Sequence, residues 1–371
     1  MTPLRRSVAS RRIVVCVGSG GVGKTSVAAA IGLAAALDGK KALVCTIDPA
    51  RRLATAMGLG ALGNLEARVP PEAFQAAGLA PRGELHAMML DVKRTWDDLV
   101  TRHAPDPARR DRILKNRLYH QMSAALAGSQ EYMAMEKLHE LATDRDYDLI
   151  VLDTPPTAHA LDFLDAPGRI LDFLGNDAAR TILAPAAGAG RLGLRLAQLG
   201  SATMLKTLAR FTGGEMLHDL ADFLRGFQGM YEGFKARAGA VRVLLGQPTS
   251  GFLLVSSPSP LSIEEALGFH ARLERERMPV AGLVANRVTR GLWRGVAPRP
   301  DAAALAAALG PDGALADRLV ATLAEHERQA AGDAAALERL FDGIPGPRAV
   351  VPRLEEDVHD LAGLAALASH L

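Results

Sequence analysis

The stretch Gly18-Ser19-Gly20-Gly21-Val22-Gly23-Lys24-Thr25 follows the apolar run Ile13-Val14-Val15-Cys16-Val17 and opens the alanine-rich segment Lys24–Leu37. It fits G-x-x-x-x-G-K-[ST], and it stands where that pattern has a mechanism, between a buried strand and a helix. Glycines let backbone N–H groups turn inward around phosphate oxygens, and the helix N-terminus adds its positive dipole end. In such a loop Lys24 reaches the β- and γ-phosphates and acts in catalysis. The Thr25 hydroxyl binds Mg²⁺, while Gly20, Gly21, Val22, Gly23 and Ser26 complete the cradle for ATP. A glycine-rich turn that binds nothing is the bland alternative, and the strand–loop–helix context argues against it.

Working outward, a phosphate loop needs carboxylates, and two strand ends supply them. Asp153 closes Leu149-Ile150-Val151-Leu152, the position of a Walker-B acid that holds magnesium through water. Asp48 closes Leu43-Val44-Cys45-Thr46-Ile47, where an acid can position the attacking water or act as its base. Either could instead cap a following helix. Further strands are predicted at Leu85–Leu90, Phe252–Val255, Val280–Ala285 and Val350-Val351. Helices are predicted from Val92, from a Ser262–Glu265 capping box, and near Asp357–Leu371.

This alternation predicts an α/β P-loop NTPase, with a mostly parallel twisted sheet, helices on both faces and an inserted all-helical subdomain. The expected division is 1–104 for the first part of the ATPase core, 105–144 for a helical insertion and 145–160 for core again. Residues 161–247 are expected as a second helical subdomain, one that could take a client or partner, and 248–371 as the rest of the core with C-terminal helices. Within 161–247, Met204, Met216, Leu220, Phe223, Phe227, Met230 and Phe234 would make one apolar helix face. It is either a client groove or a face packed on the core.

Composition narrows the function classes. The chain has 371 residues, enough for about two domains. Lys+Arg 43 against Asp+Glu 41 leaves a net charge of +2, too small to imply a nucleic-acid or membrane field. Two cysteines, Cys16 and Cys45, exclude a disulfide scaffold and any four-thiolate metal site within one chain. Arg5, Arg6, Arg11 and Arg12 read as a short basic tail, because the run Ile13–Val17 is shorter than the ~7–15 residues of a signal peptide. A cytoplasmic location with no integral membrane segment is expected.

The phosphate loop, Asp48-Pro49-Ala50 and Asp153-Thr154-Pro155-Pro156-Thr157-Ala158-His159 together resemble the ArsA-type ATPase family. That family includes the arsenite-pump ATPase and the factor that targets tail-anchored membrane proteins. The resemblance implies that Thr46–Ala50 is switch I, with Asp48 activating water. It implies that Asp153–His159 is switch II, with Pro156 and His159 sensing nucleotide state. Asn286 would read adenine, and the loop from Val351 to Glu356, with Pro352, would close over the base. Gly128-Ser129-Gln130-Glu131 is similar to a short motif on the client-facing side.

Two departures bear on function. The family's lysine before the paired glycines is Ser19 here, which removes a cation that crosses to the partner's nucleotide. The family's zinc-binding and metalloid-binding cysteines are also missing. The expectation is therefore a Mg-dependent ATPase, possessing a nucleotide-driven switch, acting as a homodimer or a heterodimer with a paralogue, with a hydrophobic protein client. The alternative is a non-catalytic or very slow nucleotide-binding subunit. A MinD/ParA-like positioning ATPase fits less well, since Leu361–Leu371 lacks Lys and Arg.

Overall fold

The computed structural model describes residues 1–47, 52–60, 62–117, 119–120, 123, 129–154, 168, 227, 230–292, 302–309 and 313–371. Asp48, Pro156 and His159 lie outside the described residues, as do Met204, Met216, Leu220 and Phe223.

The strands are β1 (Ile13–Val17), β2 (Lys41–Thr46), β3 (Ala67–Arg68), β4 (Glu84–Met89), β5 (Leu149–Asp153), β6 (Ser250–Ser256), β7 (Val280–Val288) and β8 (Arg348–Pro352). They form one sheet in the order β3-β4-β2-β5-β1-β6-β7-β8. Every pairing is parallel except β3 on β4. β1, β5 and β6 are buried along their whole length. That is why they read as unbroken apolar runs: helices cover both faces of a parallel sheet.

Alternate residues build the two cores. Val14, Cys16, Val44 and Val151 face the helices Lys24–Leu37 and Leu361–Ala368. Val15, Val17, Leu43, Cys45 and Leu152 face a second layer, which includes Val92–His103, Ser129–Asp144, Tyr231–Leu245 and Pro260–Arg275. The alanine content of Lys24–Leu37 lets it lie close to the sheet. A Cβ on Gly32 would come within 2.3 Å of Val44 Cγ2.

Several expectations need correction. The basic tail is a helix, Pro3–Ala9, whose N-cap Thr2 accepts from the Arg5 N–H and whose Leu4 and Val8 are buried. Arg11 is an internal staple, donating to the carbonyls of Pro248, Ser250 and Val280. The capping box falls three residues early: Ser259 caps Pro260–Arg275, because Pro260 suits the first turn, where no N–H partner is needed. The last helix starts at Leu361, not near Asp357, since Asp360 is its cap and accepts from Gly363 N–H.

Inside the stretch expected to be a client subdomain, Phe227, Met230 and Phe234 are buried in the second core. Phe227 stacks on Phe234 at 6.0 Å between centroids and meets Trp96 edge-on at 5.9 Å. These three side chains pack on the domain's own core rather than line a groove. The helix Leu361–Ala368 likewise buries Leu361, Leu364 and Leu367 inside the protein, which leaves it no free membrane-facing stripe. Among the described residues no helix is long and apolar enough to cross a membrane.

Candidate functional site

The parallel sheet brings its carboxyl ends to one edge, where α/β folds collect ligands. The loop leaving β1 turns into the helix Lys24–Leu37 through Gly23, the helix N-cap, at a left-handed φ of +92°. Glycine is required there twice over. The φ suits no other residue well, and a Cβ would sit 2.3 Å from Asn286 Nδ2. Asn286, at the end of β7, is 6% exposed and donates from Nδ2 to the Val22 carbonyl at 2.7 Å. Its amide thus pins the loop through the donor and turns the oxygen, the acceptor, to other partners.

Behind the loop, Lys24 Nζ donates to the carbonyls of Gly18 and Ser19, each at 2.8 Å. Asp153 is fully buried at the end of β5. Its Oδ2 accepts from Thr25 Oγ1 at 2.7 Å and from Thr46 Oγ1 at 2.8 Å. One carboxylate therefore ties the start of the helix to the ends of two strands. Thr154 Oγ1 donates to the Cys16 carbonyl and closes the next turn. Burial pushes the Cys16 thiol well up, with Asp153 adding to the rise and Lys24 opposing it; burial pushes Cys45 up to about 12. Both thiols are neutral packing groups, one in each of the two cores.

Ser19 is 7% exposed, and its hydroxyl has no hydrogen-bond partner among the described residues. A short neutral side chain is thus turned inward at this position of the loop.

A cleft of about 670 Å³ opens in front of the loop. That lies within the ~300–1,000 Å³ of small-molecule sites. It is lined by Gly23, Thr25 and Ser26 of the loop and helix start and by Asn286, Arg287, Pro352 and Arg353 from the ends of β7 and β8. The structure thus gathers the phosphate-loop residues, Asp153, Asn286 and Pro352 at one sheet edge. Val22 contributes its carbonyl, while its side chain is buried in the first core. Gly20 and Gly21 are exposed in the loop. Thr25 and Asp153 present a hydroxyl and a carboxylate in direct contact, the hard oxygen donors that suit Mg²⁺. Sequence reading placed Thr46 in the switch I stretch and Arg353 in the loop expected over the base without giving either side chain a contact, and it missed Arg287. The contact of Thr46 had a readable signal, a hydroxyl at the last position of a strand beside the acid-bearing one; Arg287 had none.

Comparison with known proteins gives the same direction. The chain matches the family model of the anion-transporting ATPases over residues 11–291. ATPase GET3C of Arabidopsis thaliana is 26% identical over 290 residues, covering 76% of this chain and 68% of that protein. ATPase ARSA1 of Chlamydomonas reinhardtii is 26% identical over 300 residues, covering 76% of this chain and 35% of that protein. ATPase GET3B of Arabidopsis thaliana is 25% identical over 296 residues, covering 75% and 64% respectively. The chain therefore spans less than two thirds of two of these three relatives.

Proposed function

The chain belongs to the family of anion-transporting ATPases, and from that premise we propose that it binds Mg·ATP in this cleft and hydrolyses the terminal phosphoanhydride. The observation that carries the reading is the Thr25–Asp153 contact, with Thr25 lining a cleft large enough for a nucleotide and Lys24 folded onto the carbonyls of the same loop. Lys24 is close enough to the loop carbonyls to swing onto phosphate oxygens without leaving the loop. Thr25 and Asp153 would hold the metal, which would neutralise charge on the phosphates. Gly20 to Gly23 supply backbone donors, Asn286 offers its amide oxygen to the exocyclic amine of adenine, and Pro352 borders the base end. Asp48 activates the water, with Asp153, Pro156 and His159 as switch residues.

In this proposal hydrolysis drives a nucleotide-dependent switch of a dimer, formed with a second copy or a paralogue, that carries a helical client- or partner-binding region. The location is cytoplasmic. The two buried thiols offer no exposed sulfur ligands, so a metalloid cargo is not part of the reading.

Ser19 supports a second reading, a slow or non-catalytic nucleotide-binding subunit. An in-trans cation supplies about 10³–10⁵ in rate in related phosphoryl transfer, and a buried serine cannot deliver it. Turnover and equilibrium binding separate the two. The first reading expects Mg-dependent phosphate release that disappears in Lys24→Ala, and an Asp48→Asn variant that binds ATP without turning it over. Wild-type turnover no faster than Asp48→Asn, with ATP still bound, establishes the second.

A further inference from the structure

Between the helix Pro3–Ala9 and the second half of Lys24–Leu37 the first core contains a cavity of about 520 Å³. Leu149 begins β5 and Lys40 directly precedes β2, and both line the cavity. It therefore lies at the amino ends of these strands, whereas the phosphate loop leaves the carboxyl end of β1. The cavity and the cleft at that loop share no lining residue.

Leu4 and Val8 line the cavity from one helix, Ile31, Ala34 and Ala35 from the other, and Leu149 from the sheet. Ile31, Ala34 and Ala35 stand at i, i+3 and i+4, so they form one stripe. They are 5%, 7% and 9% exposed, whereas their neighbours Leu33 and Ala36 are at 0%. Close packing is the rule in protein interiors. A hollow of this size among apolar side chains has instead the dimensions of a small-molecule site, ~300–1,000 Å³.

The charged lining is more exposed. Arg5 pairs with Asp38 at 2.9 Å, and Lys40 Nζ donates to the Ala9 carbonyl at 2.5 Å, so polar contacts strap the short helix beside the hollow. Arg82 donates from Nε to the Leu37 carbonyl at 3.2 Å. Among the lining side chains Arg5, Lys40 and Arg82 face the single carboxylate of Asp38. That carboxylate is taken by Arg5. Lys40 and Arg82 make no ion pair among the described residues, and each keeps N–H donors beyond its one hydrogen bond. They are also neighbours: a Cβ on Gly39, next to Lys40 in the chain, would lie 3.8 Å from Arg82 Cβ.

An apolar hollow edged by unmatched cations complements a ligand with an apolar body and one anionic head. We propose that this cavity binds a medium-chain fatty acid, with its chain among Leu4, Val8, Ile31 and the two alanines and its carboxylate on Arg82 and Lys40. The paired donors of a guanidinium match the two oxygens of a carboxylate. Neither this site nor the proposed nucleotide cleft depends on the other.

Calorimetric titration of the full chain with decanoate and with decanol, both kept below the concentrations at which they aggregate, tests it. Decanoate should bind the parent, and decanol roughly tenfold more weakly. Ala35→Leu fills the hollow with an apolar side chain; it should abolish decanoate binding and melt no lower than the parent. Arg82→Gln, at an exposed residue, should weaken decanoate roughly tenfold and leave decanol unchanged. A parent that does not bind decanoate overturns the proposal. So does decanoate binding that survives Ala35→Leu, which puts the ligand elsewhere, and so does equal affinity for decanoate and decanol. If Ala35→Leu does not fold, Arg82→Gln decides alone, and unchanged decanoate affinity in that variant overturns the site.

Discussion

At Gly23 the backbone φ of +92° and the 2.3 Å approach of Asn286 Nδ2 leave no room for a methyl group. Gly23→Ala should cost more than about 2 kcal/mol of stability, from left-handed strain plus overpacking, and break the tie between Asn286 and Val22. The double variant Gly23→Ala/Asn286→Ala should recover part of that loss in denaturant titrations; additive losses would show that the close contact is not the cause. Ser19 predicts the opposite sign. Its buried hydroxyl has no partner among the described residues, so Ser19→Ala should raise the melting temperature of the ligand-free protein, by the equivalent of about 1 kcal/mol. A third residue sets a pH dependence. Burial, then Arg237 and Arg102, hold His103 below its ordinary value of 6.5. A lowered histidine binds its proton more readily in the unfolded chain, so stability is full above pH 6.5 and falls as pH drops toward the folded-state value. His103→Gln should flatten that part of a melting-temperature profile between about pH 7.5 and 5.5. At this scale the meeting of Thr25 and Asp153 beside Lys24 was legible because their positions follow from spacing along the chain. Arg287 was not, because its conformation comes from a slip against a strand about sixty residues downstream.

Among the elements, the helix Pro3–Ala9 shows how a short signal can be masked by a stronger one. Four arginines dominate the first twelve residues, yet Leu4 and Val8 stand one turn apart and Thr2-Pro3 is a helix start. Leu4 is 1% exposed and lies under Gly282, where a Cβ would come within 2.4 Å of it. Leu4→Ala should cost about 2–4 kcal/mol and abolish hydrogen-exchange protection over residues 3–9, while the sheet centre stays protected. Retained protection would mean that the helix is held by its polar contacts alone. The strands were readable as continuous apolar runs, because burial on both faces removes alternation. The two-residue edge β3 was too short to leave a pattern. Phe227, Met230 and Phe234 show a limit of periodicity: a stripe at helical spacing specifies a buried face but not whether its cover is the protein's own core.

For the molecule as a whole, β5 lies between β1 and β2, and β1 between β5 and β6, so the phosphate loop leaves the middle of the sheet with Asp153 at its flank. Strand existence could be read from sequence, and the βαβ alternation implied parallel pairing. Strand order could not, since it depends on where each crossover helix docks. Mg·ATP at a hundred times its dissociation constant should stabilise the protein by about 2.7 kcal/mol, visible as a higher melting temperature that Asp153→Asn suppresses when magnesium is present. An equal rise in that variant would place the metal elsewhere.

Within the site the ammonium of Lys24 rests on two carbonyls, and Asp153 Oδ2 on two hydroxyls. Loading is then a swap of partners, so the heat of binding is a small difference between two sets of bonds. Under the proposed Mg·ATP reading the Thr25–Asp153 bridge must open before the metal binds, and that opening is expected to limit the rate of loading. Stopped-flow traces should level off as nucleotide concentration rises, at a ceiling that Thr25→Ala lifts.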